Sequence, residues 1–275
     1  MRLPGGILAA VWLLGSCGLA AAQAKEPVSL EAGYRDMYNL QFDEAHRVFQ
    51  GWEQGHPTDA LGPVSDAAAY LFSEFDRLHV LESELFTDDT KFESRSKLAP
   101  DPKAKQAFDE SLGRGQQIAD KILAQDGNNA DALFAQVMIQ GLRGDYAALV
   151  EKRDMAGLSY MKTGRAMAER LLAKNPTYYD AYLAIGVENY LLSLRSAPMR
   201  WFLRITGAQT DKDAGLQKLK ITAEKGHYLL PYARLLLAVA AIRDNQREQA
   251  RQILEDLSRQ FPANKLYAKE LAKLQ

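Results

Sequence analysis

Residues 33–57 read GYRDMYNLQFDEAHRVFQGWEQGHP. Small, aromatic and proline residues in this stretch lie at offsets 0, 9, 12, 16, 19 and 24, occupied by Gly33, Phe42, Ala45, Phe49, Trp52 and Pro57. Apolar residues that recur three and four positions apart predict helices. A proline ends a helix, because it has no N–H to donate and restrains the residue before it. The stretch therefore predicts two short helices packed as a pair.

Parts of this pattern return further along the chain. The later copies contain Ala119, Leu123 and Gly127, then Ala168, Leu172 and Pro176, and finally Ala250, Leu254, Leu257 and Pro262. The four turn positions are 70, 49 and 86 residues apart. One helix pair cannot bury its apolar face alone, so several pairs must stack. The uneven spacing predicts longer or additional helices between the clear copies.

With these offsets the chain resembles tetratricopeptide-repeat proteins, especially the degenerate exported kind found in bacteria. The resemblance covers most of residues 28–275 and is best in the first and last units. It implies an all-α fold, a right-handed superhelix of antiparallel helix pairs that is irregular in the middle. We expect N-terminal repeat-like helices in residues 25–86, a polar loop in 87–102 and the main solenoid in 103–275.

The amino terminus has the pattern of a secretory signal peptide in residues 1–24. Arg2 supplies the positive charge, residues 7–14 are apolar, and small residues lead to Ala22-Gln23-Ala24. The apolar stretch is too short for an ordinary membrane-spanning helix, and no later segment is long enough. We therefore expect an exported protein without a transmembrane helix in its mature chain.

Cys17, the sole cysteine, leaves two alternatives open. If cleavage follows Ala24, Cys17 is discarded and the mature protein is periplasmic. Alternatively, Leu14-Gly15-Ser16-Cys17 resembles a bacterial lipobox, in which case Cys17 carries a lipid anchor in the outer membrane. The clean cleavage site before Lys25 favours the first alternative.

Composition and motif spacing argue against several functional classes. The formal net charge is −1, which argues against a protein that neutralises nucleic-acid phosphates. The four histidines, His46, His56, His79 and His227, show no metal-ligand spacing. Neither a nucleophilic triad nor a glycine-rich phosphate loop is evident. We therefore predict a protein that is not an enzyme and that has no cofactor.

The tetratricopeptide resemblance also implies a binding surface. In that family the first helix of each pair lines a concave groove, and the matching positions here are Phe134, Met138, Asp180, Leu183, Val187 and Tyr190. The leading hypothesis is an assembly scaffold of the cell envelope that binds an unidentified peptide or protein in this groove. Three alternatives remain: a small-molecule site in the tyrosine-rich region 178–232, self-association and, less favoured, an envelope hydrolase. A closed cavity in 178–232 would favour the small molecule.

The segment Arg195–Gly207 reads RSAPMRWFLRITG and combines apolar with basic residues. In one interpretation it is an amphipathic element that contacts a membrane interface or a partner through Arg200, Trp201 and Arg204. In the other, which we favour from sequence, it is a connecting helix whose aromatic residues fill a gap between repeats.

Overall fold

A computed structural model of the protein describes residues 29–82 and 87–274. The predicted signal peptide and Cys17 lie outside the described residues. Within these two ranges the fold is all-helical and contains no strand, which confirms the all-α class.

The helices are numbered in chain order. Their bounds are α1 Leu30–Tyr38, α2 Phe42–Gly55, α3 Leu61–Arg77, α4 Asp89–Ser94, α5 Pro102–Gln125, α6 Ala130–Asp145, α7 Asp154–Lys174, α8 Tyr182–Ser193, α9 Ala197–Ile205, α10 Lys212–Lys225, α11 Leu230–Arg243, α12 Arg247–Gln260 and α13 Lys265–Ala272. A π-helical turn, Tyr146–Val150, follows α6, and a 3-10 turn, Tyr179–Ala181, precedes α8.

The helices pack in pairs, and each pair packs against the next. The pairs are α1 with α2, α3 with α5, α6 with α7, α8 with α10, and α11 with α12, while α13 packs on α12. Three additional elements lie inside pairs: α4 in the second, the π-helical turn in the third and α9 in the fourth. These insertions lengthen the middle units and account for their uneven spacing.

The turns between successive pairs, and the turn before α13, share one backbone geometry. In each, the first residue after the helix donates its N–H to the carbonyl four residues earlier at 2.8–2.9 Å; these donors are His56, Asp126, Asn175, Gly226 and Phe261. The turn at Gly226 divides the interval of 86 residues between Pro176 and Pro262. A search for prolines misses this turn, because His227 occupies the position that proline takes elsewhere.

The first and last pairs also share the turn between their two helices. Leu40 has φ 61° and Asn245 has φ 58°, so both lie in the left-handed region. These residues are 205 positions apart, as are Ala45 and Ala250. The same backbone turn at the same offset supports the predicted similarity of the two terminal units.

Close approach within the first pair requires the glycine at offset 0. A Cβ atom on Gly33 would lie 2.4 Å from the Phe49 ring, which is fully buried. The missing side chain thus leaves room for the ring.

The two ends of the described chain meet through α1. Tyr34 stacks on Tyr228 with ring centroids 4.8 Å apart, and Tyr38 contacts Phe261 at 5.6 Å. The Tyr38 hydroxyl donates to the Tyr228 carbonyl at 3.0 Å, and Asn264 Nδ2 donates to the Tyr38 carbonyl at 2.8 Å. The stack of helices is therefore closed by its own first helix.

The predicted loop 87–102 contains α4 and is fastened to the body. Leu98 donates its backbone N–H to the Val150 carbonyl at 3.1 Å, and the Asp101 N–H donates to Glu74 Oε2 at 2.9 Å. One hydrophobic core contains buried residues on both sides of this segment, from Leu30 to Leu274. The core is thus continuous across it.

We predict that Tyr38→Ala lowers the free energy of unfolding by about 3–5 kcal/mol, because it removes a buried ring from the contact between the chain ends. Tyr38→Phe keeps the ring and loses the hydrogen bond to Tyr228, so we expect a cost of about 1 kcal/mol. Urea unfolding measures both values.

Hydrogen exchange tests whether the destabilisation by Tyr38→Ala is concentrated where the chain ends meet. Tyr38→Ala should increase exchange in α13 more than in α6, since α13 lies beside Tyr38 through Asn264. Equal effects on both helices would contradict a specific role in closing the stack.

Candidate functional site

A half-open cavity of about 380 Å³ lies at the edge where the turns between helix pairs converge. Its lining comes from the start of α1 and from the connections α2–α3, α5–α6, α7–α8 and α10–α11. Stacking places successive connections side by side at one edge, so residues distant in sequence share this cavity. Its volume lies in the lower part of the range typical of ligand pockets.

Four aromatic side chains line the cavity: Trp52, Tyr178, Tyr179 and Tyr228. Trp52 Nε1 donates to Asp59 Oδ2 at 2.9 Å, which orients the indole. Tyr178 packs on the buried ring of Phe134 with centroids 4.9 Å apart. The aromatic wall is thus positioned from behind by core contacts, and its rings offer flat surfaces for stacking.

Three aspartates line the same cavity, Asp59, Asp131 and Asp180, together with Lys225 and His227. With neutral histidine, this set carries two more negative than positive charges. Asp131 is exposed and accepts a hydrogen bond from the Tyr178 hydroxyl at 3.1 Å. The cavity therefore joins an aromatic wall to an excess of carboxylates.

Asp180 organises the connection between α10 and α11. Its carboxylate accepts backbone N–H groups from His227 and Leu229 at 2.9–3.0 Å, and from Tyr228 at 3.2 Å. Burial raises the pKa of Asp180, and these hydrogen bonds oppose that rise. Asp180 thus holds the backbone that carries Tyr228 and His227.

The six groove candidates predicted from the sequence do not line one common surface in the structure. Asp180 lines the cavity, whereas Phe134, Met138 and Tyr190 are buried in the hydrophobic interior. Leu183 and Val187 are partly buried and pack against core residues. Their side chains contribute chiefly to packing between helices in this structure.

Tyr190 lies against α10. A Cβ atom on Gly215 would lie 2.6 Å from the Tyr190 backbone nitrogen, so α8 and α10 approach closely here. This contact explains why Tyr190 is only 2% exposed.

Sequence reasoning did not select Trp52, Asp59, Lys225 and His227 as site residues. The repeat pattern marks positions that pack between helices, whereas these residues lie in or beside the turns. The sequence offered one sign of them: Trp52 and Lys225 lie near the end of the second helix of their pairs. That position alone does not show that the turns surround a cavity.

The segment Arg195–Gly207 contains α9, and the structure corrects the favoured interpretation of its aromatic residues. Trp201 is 67% exposed and Phe202 is 53% exposed, so these rings do not fill a gap between repeats. Leu203 is the buried residue of this helix and packs with Leu192. An amphipathic helix places only one of its faces on the body, and here the aromatic face is turned outward.

A buried polar network secures the chain after α9 and explains the polar residues in α8. Glu188 accepts Arg165 Nε and the Gln209 backbone N–H, both at 2.9 Å. Asn189 Nδ2 donates to Gln209 Oε1 at 2.6 Å, and Asn189 Oδ1 accepts the Asp211 N–H at 3.2 Å. These hydrogen bonds compensate for the burial of the Glu188 charge and fix the segment between α9 and α10.

Two searches concern other kinds of site. Across residues 29–82 and 87–274, no helix is long and apolar enough to cross a membrane. The same residues contain no group of three or more His, Cys, Asp or Glu side chains arranged to hold a metal ion. The chain matches none of the protein-family models and none of the curated proteins with which it was compared.

Asp145, at the end of α6, is a half-buried acid. It interacts with the hydroxyl of Tyr232 on α11, which is also half-buried, and burial raises the pKa of Asp145 to about 7. The folded protein therefore keeps this proton to higher pH than the unfolded chain does. Ionisation of Asp145 destabilises the fold progressively as the pH rises from about 4 to about 7.

We predict that Asp145→Asn becomes more stable relative to the wild type as the pH rises from 4 to 8, because the amide does not ionise. The relative gain should be on the order of 2–4 kcal/mol. Urea unfolding at each pH measures it, and subtracting the wild-type curve removes the contributions of other carboxylates. A difference independent of pH would contradict an elevated pKa at this position.

Proposed function

We propose that this chain is an exported, tetratricopeptide-type right-handed superhelix that binds a peptide or protein partner without catalysis, and that its cavity takes a basic side chain of that partner. The combination of four aromatic rings with three aspartates around one half-open cavity carries this proposal. Carboxylates attract an ammonium or guanidinium group, and aromatic faces stabilise the same cation.

A contact within the protein illustrates this chemistry. Lys225 Nζ lies over the Tyr179 ring at 5.4 Å from its centroid. An incoming cation would use the other rings and the exposed carboxylate of Asp131. Recognition by a few oriented groups agrees with the near-neutral charge of the whole chain.

This proposal places the partner contact at the cavity, whereas the hypothesis from sequence placed it in a groove lined by the first helices of the pairs. Buried Phe134 packs behind Tyr178, buried Tyr190 packs against α10, and Asp180 positions one wall of the cavity. Asp59 and Asp180 hold the walls of the cavity through hydrogen bonds to Trp52, Leu61 and the backbone of residues 227–229, which leaves the exposed Asp131 as the carboxylate that contacts the cation. Export, with or without a lipid on Cys17, remains part of this proposal.

A free small molecule is the second candidate, because the cavity is within the size range of small-ligand pockets and overlaps region 178–232. The shared chemistry is a cationic group among aromatic rings. Self-association would use the same site only if a second copy supplied the basic side chain.

We expect blocked arginine, N-acetyl-arginine amide, to bind the full chain at least about tenfold more tightly than the neutral analogue N-acetyl-citrulline amide. Calorimetric titration measures both affinities. Asp131→Asn should weaken arginine binding about three- to tenfold, because it removes an exposed charge while keeping an oxygen for the Tyr178 hydroxyl.

Asp256→Asn is the matched control. Asp256 is also exposed and lies on α12, so its neutralisation changes the net charge equally outside the cavity. Equal binding of arginine and citrulline, or equal losses in both variants, would contradict the cation site. A hexapeptide with one arginine that binds far more tightly than blocked arginine would favour a peptide partner over a free small molecule.

A further inference from the structure

Helix α9 displays an exposed apolar face. Five large apolar side chains are exposed in the described part of the chain, and four belong to this helix: Met199 at 47%, Trp201 at 67%, Phe202 at 53% and Ile205 at 64%. The fifth, Met155 at 76%, lies in the first turn of α7. Leu158, one turn after Met155, packs against the small hydrophobic cluster that contains Leu203 of α9, so α7 and α9 share one cluster near both exposed regions.

The segment that carries this face is positively charged. Residues 189–210 contain Arg195, Arg200 and Arg204 and no Asp or Glu. Arg200 donates to the Arg195 carbonyl at 2.6 Å, and Arg204 donates to Thr210 Oγ1 at 2.6 Å. These acceptors are uncharged, so the hydrogen bonds orient the two guanidinium groups without cancelling their charge.

The body holds α9 in this orientation. Leu203 is buried, and Lys162 Nζ donates to the Thr206 carbonyl at the end of the helix. Arg165 donates to the Gly207 carbonyl at 3.1 Å while it also pairs with buried Glu188. Exposure of the aromatic residues is therefore a property of the folded protein, and such a concentrated apolar surface indicates a contact site.

We propose that α9 binds the interface of an anionic lipid bilayer. Trp201, Phe202 and Ile205 enter the boundary between head groups and acyl chains, while Arg200 and Arg204 remain near the lipid phosphates. Tryptophan favours this boundary, and arginine is attracted by anionic lipids. A lipid surface fits both the projecting apolar face and the absence of carboxylates in 189–210. This proposal does not depend on the cavity.

The first experiment uses Trp201 as the probe. The full chain contains three tryptophans, Trp12, Trp52 and Trp201, so Trp12→Phe with Trp52→Phe leaves the one on α9. Vesicles contain phosphatidylglycerol and phosphatidylcholine, with bromine on the acyl chains as a quencher. We expect a blue shift and quenching of Trp201 fluorescence. If all of the protein is bound to the vesicles and Trp201 fluorescence is not quenched, α9 does not enter the bilayer and the proposal is overturned. This conclusion holds even if residues 1–24 cause the binding.

The second experiment tests the aromatic residues and the lipid charge. Trp201→Ser with Phe202→Ser should reduce the partition coefficient on anionic vesicles at least about tenfold. The exposed Arg259→Ser on α12 is the control, and circular dichroism confirms that each variant is folded. Equal binding to pure phosphatidylcholine, or unchanged binding of the double variant, would overturn the proposal. Concentration-dependent dimerisation lost in the double variant without vesicle binding would assign α9 to a second copy instead.

Discussion

The contact between α1 and the carboxyl-terminal helices constrains the whole molecule. A stack of helix pairs ordinarily leaves an exposed apolar face at each end and needs atypical terminal units to cover it. Here the rings of Tyr34 and Tyr38 lie against Tyr228 and Phe261, so residues of the last pairs help to cover the first helix. These aromatic contacts belong to the largest hydrophobic cluster, which contains buried residues from Leu30 to Leu274.

Two edges of the structure show how local rules produce different surfaces. Repeated turns bring aspartates and tyrosines together in the cavity, although Asp59, Asp131 and Asp180 lie at three different connections. By contrast, α9 is an insertion inside one pair, and a buried network on α8 supports it. The turns place charged and aromatic side chains at an edge that the stacking of pairs already creates. The insertion of α9, by contrast, requires the buried ion pair between Arg165 and Glu188. The proposed cation site and lipid site therefore arise from separate constraints.

The sequence predicted the helical class and the first and last units, because core positions such as Gly33, Ala45 and Ala250 have strict steric requirements. It did not predict which helix faces the other helices would cover. Phe134 and Tyr190, expected to line a groove, are therefore buried in the structure. The amphipathic pattern of α9 was visible, but periodicity does not state which face meets the body. Leu203 decides that orientation through a tertiary contact. The cavity was still less predictable, since it depends on the relative placement of four connections and the start of α1.

The pairing of α1 with the end of the chain also sets an order of folding. Tyr38 bonds to partners 190 and 226 residues later, at Tyr228 and Asn264. The first helix can therefore reach its native surroundings only after nearly the whole chain is available. Pairs in the middle can form by contacts between neighbouring segments, whereas closure must await the most distant ones and bears their loop-closure entropy. A chain that lacks its last helix would leave apolar surface uncovered on its first, so damage at one terminus would become an aggregation hazard at the other.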